Sequence, residues 1–155
     1  MGRYASQTGV PIEGSQEQIK RTLRRYGAER FGIFEETECA AVMFEVGGIT
    51  VRIDVPLPGR KEFALTETGR DRCESSIAKA RDQAIKQRWR ALLLAIKAKL
   101  EAVECGISTI EKEFLPFMVM PDGRIMADHL LPHVHQLVSD GKIPKMLALP
   151  AGSAS

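Results

Sequence analysis

Cys39–Val55 reads CAAVMFEVGGITVRIDV, two alternating runs joined by Gly47-Gly48. A two-residue hairpin turn needs positive φ at its central positions, which glycine adopts without steric cost, so this pair predicts a tight hairpin. Setting Val46 opposite Ile49 fixes the rest of the register: Phe44 meets Val51, Val42 meets Ile53 and Ala40 meets Val55. Successive side chains point to opposite faces of a strand, so these eight apolar residues share one face. The other face pairs Glu45 with Thr50, Met43 with Arg52 and Ala41 with Asp54, a mixed and wet surface. With a preceding strand the hairpin becomes a meander over 30–36, 39–46 and 49–55. A sheet of this kind needs a cover on one side only.

The cover is the stretch Lys79–Gly106, KARDQAIKQRWRALLLAIKAKLEAVECG, expected as one long helix from Ser75 or Ser76 to Gly106. At about 100° per residue, Ile85, Trp89, Leu92, Leu93, Ile96, Leu100 and Val103 fall in one apolar arc, the face that covers the sheet. Trp89 lies inside that arc, which points to core packing rather than base stacking. Ala80, Ala84, Ala91, Ala95, Ala98 and Ala102 make a second strip nearly opposite, where another backbone can approach closely. The basic residues take the remaining edges. Lys79, Lys86, Arg90 and Lys97 form one row, and Arg81, Arg88 and Lys99 form the other.

Outward from this core, S-Q-E-Q at Ser15–Gln18 reads as a capping box opening a first helix that Gly27 stops. Ile19, Leu23 and Tyr26 give it one buried face, with Lys20, Arg21, Arg24 and Arg25 on the remainder. Pro56 and Pro58 end the third strand. The charged loop from Gly59 to about Glu74 shows no evident structure, and its length suggests a functional or partly disordered segment. Ser108–Glu111 is a second capping box, ahead of a short helix that Pro116 curtails. Pro121-Asp122-Gly123 predicts a tight turn. Asp128 is then expected to cap a helix with Pro132 in its first turn and Gly141 at its end.

The fold expected is therefore α+β: a three-stranded antiparallel β-meander packed on a long α-helix, preceded by a short helix and followed by a small helical C-terminal extension. Its parts are a flexible arm at 1–14, an α-β-β-β-α core at 15–106, the extension at 107–149 and a tail at 150–155.

A chain of 155 residues with 44% hydrophobic and 27% charged residues can bury a core without disulfides or metal. Its longest wholly apolar run, Ala91–Ile96, is too short to span a bilayer, so no membrane association is expected. The opening MGRYASQTGVPIEG lacks the apolar centre of a secretory leader, so a cytoplasmic location is expected. Cys39, Cys73 and Cys105 are odd in number and form no CxxC, which suggests buried, reduced thiols. Net charge is +2, too small for a wholly basic DNA packer, and the excess lies before residue 107.

Chemistry of the catalytic kind finds few residues. His129 and His133 stand at i and i+4, the spacing of a metal pair, with His135 and Asp128 nearby, but no HExxH glutamate accompanies them. No GxSxG elbow, phosphate loop or dinucleotide fingerprint occurs, and the carboxylates are scattered. The reading is a non-enzyme without cofactor or metal. What remains are the basic rows, in which Asp82 is the only acid between Lys79 and Lys99. Rows of Lys and Arg suit phosphates spaced along a strand, and supply affinity without reading sequence.

The order helix, meander, long helix is shared by double-stranded-RNA-binding domains, but their second helix is about half this length and opens with a lysine motif missing here. With Ala78–Leu92, AKARDQAIKQRWRAL, it resembles more closely the single-strand DNA annealing protein superfamily, over roughly residues 15–106. That resemblance implies oligomeric rings or filaments, with single-stranded DNA in a basic groove along the outer edge of meander and helix. It would give that role to Arg52, Arg60, Lys61, Lys86, Arg88 and Arg90, to which the helix row adds Lys79 and Lys97. The chain is shorter than most members and its hairpin is less basic. Separately, QRWRALLLAIKAKLEAVECGI followed by EKEFLPFMVMPDGR resembles an uncharacterised family of small phage and prophage proteins, which implies a viral context and a host cytoplasm. The function expected is single-stranded DNA binding, annealing or recombination mediation, with homo-oligomers forming through the alanine face. The alternative is a protein-interaction module, an anti-defence inhibitor or assembly factor, with no nucleic-acid role.

Overall fold

The computed structural model describes residues 9–66 and 68–141, so the expected tail and part of the expected arm lie outside the described residues. Strands β1 (Arg30–Glu35), β2 (Cys39–Val46) and β3 (Ile49–Pro56) form an antiparallel sheet in that order. Gly47 and Gly48 both have positive φ, 59° and 78°, and the β2–β3 register is the one expected from Val46 opposite Ile49 to Ala40 opposite Val55. Ala40, Val42, Phe44, Val46, Val51, Ile53 and Val55 are buried on the inner face. On the outer face Met43, Glu45, Thr50 and Arg52 are half-buried, and Phe34 is 60% exposed.

Two helices cover the inner face. Helix α1 (Ile12–Arg25) contributes Ile19 and Leu23, and α2 (Glu74–Glu104) contributes Trp89, Leu93, Ile96 and Leu100 to a single core cluster with the sheet. Gln18 meets Arg90 and Tyr26 meets Glu104, so α1 and α2 run in the same direction. At 31 residues α2 is about 46 Å long, longer than any strand of the sheet it covers.

Several expected boundaries move. Helix α1 begins one turn before Ser15, because Ile12 packs on the core and Pro11 supplies the N-cap position with φ −58°. Ser15 N donates to Pro11 O at 3.2 Å, and its side chain is fully buried with no hydrogen-bond partner for Oγ among the described residues. It is a core-facing residue, not a cap. The loop after β3 carries structure of its own: a 3-10 turn at Arg60–Phe63, then a bridge between Leu65 and Asp71.

The C-terminal segment belongs to the core more than expected. Helix α3 (Ile110–Phe114) starts after Thr109, one residue later than the Ser108 cap, and buries Phe114 edge-on to Phe44 with centroids 5.4 Å apart. The turn at Pro121-Asp122-Gly123 forms as expected, with Gly123 at φ 80° and Val119 bridging Ile125. This hairpin hangs on β3 through Val51–Met118 and Val119 N to Thr50 O, 2.8 Å. Helix α4 (Met126–Ser139) starts at Met126 rather than after Asp128, which places Pro132 in its interior. Proline has no N–H for the carbonyl four residues back. That carbonyl, Asp128 O, instead accepts from Arg124 Nη2 at 3.4 Å.

Among the described residues no second layer covers the alanine strip. Ala91, Ala95 and Ala98 are exposed, while Ala80, Ala84 and Ala102 are half-buried. The three-stranded sheet has room for two helices on one face, and α1 takes the other flank of α2.

Candidate nucleic-acid interface

The two basic rows of α2 meet different surroundings. Arg81, Arg88 and Lys99 point to chain carbonyls. Arg81 Nε donates to Pro58 O at 2.9 Å and its Nη2 to Thr37 O at 2.8 Å. Arg88 donates to Pro56 O. Lys99 Nζ donates to Glu113 O at 2.9 Å and lies 3.4 Å from that residue's carboxylate. Carbonyls at strand ends and in loops lack a ladder partner, and a guanidinium fork supplies several donors at once. This row stitches α2 to the β1–β2 turn, the end of β3 and α3.

The second row faces outward beside α1. Lys79 and Lys97 are exposed with no side-chain partner among the described residues. Lys86 Nζ pairs with Asp82 at 2.5 Å, and Arg90 Nη1 donates to Gln18 Oε1 at 3.4 Å. Helix α1 adds exposed Arg21, Arg24 and Arg25. Of these, Arg21 pairs with Glu17 at 3.1 Å, while Arg25 lies 5.9 Å from the Tyr26 ring centroid.

The remaining residues expected to contact DNA are scattered. Arg52 lies on the sheet's outer face, 3.2 Å from Asp54 and donating to Gly123 O at 3.1 Å, so it holds the C-terminal hairpin. Arg60 pairs with Glu74 across the start of α2. Lys61 is exposed in the 3-10 turn. Arg90 and Lys97 lie against α1, with Lys79 and Lys86 in the same helical row, whereas Arg52, Arg60 and Arg88 make their contacts elsewhere. Sequence reasoning had not placed Arg21 and Arg25 in the site. The signal was present in their spacing of four, which puts both on one side of α1.

A groove of about 400 Å³ runs between α1 and α2, lined by Arg21, Thr22, Arg25, Tyr26, Lys97 and Glu101. Tyr26 Oη donates to Glu104 at 2.6 Å, and that bond raises the phenol above its ordinary pKa, so it stays protonated.

Other titrating groups lie away from the groove. All three cysteines are exposed rather than buried. Cys73, at the N-cap of α2, contacts Ser75 and Ser76 hydroxyls at 3.3 and 3.2 Å, which lower its thiol to about 7. Partial desolvation and then the Glu36 charge raise Cys39, and partial desolvation and then Glu101 raise Cys105. His129 Nε2 lies 3.0 Å from Asp122, whose carboxyl is lowered chiefly by the Arg124 backbone N–H. Among the described residues no group of His, Cys, Asp and Glu is placed to hold a metal, and no helix is long and apolar enough to cross a membrane.

Comparison of the chain with protein-family models, with curated proteins and with solved structures finds no match.

Proposed function

We propose that this protein binds single-stranded DNA along its phosphate backbone and brings strands together, as a phage-type annealing protein or a recombination mediator. The observation that supports this reading is the outward row: Lys79 and Lys97 lack a carboxylate partner among the described residues, and Lys86 and Arg90 stand between them. The ordinary alternative is a solvated basic side held by local ion pairs. Here the single acid between Lys79 and Lys99 is Asp82, already beside Lys86. Cations left over in this way gain most from phosphates, because each contact releases a condensed counter-ion. Assembly would use the exposed Ala91, Ala95 and Ala98.

Polarisation of a labelled single-stranded oligonucleotide is expected to show binding that weakens steeply as salt rises. The double change Lys79→Glu with Lys86→Glu is expected to lower affinity about tenfold or more, with only a small fall in melting temperature from loss of the Lys86–Asp82 pair. Absence of binding at low salt, or full affinity in the double variant, sinks the proposal.

A second reading, a protein-interaction module, draws support from α4. Leu130, Leu131, Val134, Leu137 and Val138 are 41% to 57% exposed on a helix that packs on the Leu115–Phe117 turn. Under this reading, Leu131→Glu with Leu137→Glu lowers the sedimentation coefficient of an assembled species and leaves DNA binding intact. Unchanged sedimentation removes it.

A further inference from the structure

The groove between α1 and α2 differs from the rest of the basic surface in having two kinds of wall. Arg21, Arg25 and Lys97 supply three cations, and Glu101 supplies a carboxylate on the same helix as Lys97. None of the three cations is tightly held: Arg21 has an exposed partner in Glu17, Arg25 rests against the neighbouring Tyr26 ring, and Lys97 has no side-chain partner among the described residues. Among the described residues the Glu101 carboxylate accepts one weak contact, from the Cys105 thiol at 3.7 Å, and Glu104 is already engaged by Tyr26.

Three cations alone would suit any anion. A carboxylate among them repels a bare phosphate and selects a ligand that brings a donor along with its negative charge. The volume, about 400 Å³, lies in the range of pockets for single small molecules, roughly 300–1,000 Å³. A nucleotide with an amino-bearing base fits both conditions. Its phosphate meets the arginine forks and lysine, and its exocyclic N–H donates to the carboxylate, the pairing by which Asp and Glu recognise cytosine N4. Thymine presents O4 at that position, an acceptor facing an acceptor. Duplex DNA keeps its bases stacked and paired, so it can offer this groove phosphates only.

We infer that the α1–α2 groove is a single-nucleotide subsite for an unpaired, amino-bearing base, with Arg21, Arg25 and Lys97 on the phosphate and Glu101 reading the base. The inference rests on the nucleic-acid reading above and adds to it a source of single-strand selectivity and a base preference.

The test is a set of titrations near neutral pH, using oligo-dC, oligo-dT and a duplex, each of about 16 nucleotides. Oligo-dC is expected to bind several-fold tighter than oligo-dT, and both tighter than the duplex. Glu101→Ala is expected to erase the dC-over-dT ratio by strengthening dT, an effect that loss of structure would not produce. Arg25→Ala with Lys97→Ala, both exposed, is expected to flatten the log–log salt dependence of oligo-dC binding by up to about 0.7, the value for the one phosphate the subsite holds. Equal binding of dC and dT, or an unchanged salt slope in the groove variant while Lys79→Glu with Lys86→Glu still weakens binding, overturns the subsite and leaves the DNA reading standing. If none of the three polymers binds, the DNA reading fails and the subsite fails with it.

Discussion

The two basic edges of α2 are near mirror images on a helical wheel, yet they do different work. Arg81, Arg88 and Lys99 reach over strand ends and loops and donate to backbone carbonyls. In the other row Arg90 and Lys97 lie beside α1, Lys79 and Lys97 are exposed, and Lys86 and Arg90 are half-buried. A row of cations in sequence is therefore not one feature. Its meaning depends on whether the neighbouring layer presents unpaired carbonyls or leaves the charges to solvent.

That contrast can be broken by substitution. Arg81→Ala should have the largest effect on folding, a loss of about 2 kcal/mol in urea unfolding, because two hydrogen bonds from a charged donor disappear together. Arg88→Ala should cost about 1 kcal/mol for its single carbonyl. Lys79→Ala should change stability by no more than about 0.5 kcal/mol, as for a surface residue with no side-chain partner among the described residues. Oligonucleotide affinity should run the other way, reduced by changes at Lys79 and Lys86 and unaffected in the folded fraction of Arg81→Ala. Equal stability losses on both edges would dissolve the distinction between them.

A change of opposite sign tests the start of α1. Were Ser15 an N-cap, replacing it with alanine would destabilise by about 1 kcal/mol. Because its hydroxyl is buried without a partner among the described residues, Ser15→Ala is instead expected to raise the thermal unfolding midpoint, corresponding to about 1 kcal/mol of stabilisation. A fall in the midpoint would restore the capping role.

Much of the architecture was legible because it depends on short-range periodicity. Gly47-Gly48 set the hairpin register residue by residue, and the Trp89–Leu93–Ile96–Leu100 arc named the face that covers the sheet. Caps were less legible. S-Q-E-Q at Ser15 is a valid start signal, but Ile12 gains more from joining the core than the capping box gains from stopping there. The extent of the core was also underread, since Phe114 follows the apparent end of the domain and packs against Phe44 across the sheet. Nothing in local spacing reports that contact. The cysteines were expected inside on residue type alone, yet Cys39, Cys73 and Cys105 sit at a strand start and at the two ends of α2, where chain ends face water.

The candidate site shows the same division. Lys79, Lys86, Arg90 and Lys97 could be grouped from a wheel. The meeting of Lys97 with Arg21 and Arg25 across a groove required α1 to lie parallel to α2, which no pattern within either helix states. The annealing resemblance grouped Arg52, Arg60 and Arg88 with Lys86 and Arg90, and the tertiary structure gives those three partners at Gly123, Glu74 and Pro56.

By itself, the sequence determined the elements, the hairpin register and the buried face of each helix, because backbone dihedral preferences and hydrophobic periodicity act over a few residues. The tertiary structure decided which charges remain available, because a cation's role is set by the carbonyl, carboxylate or water brought next to it from far along the chain.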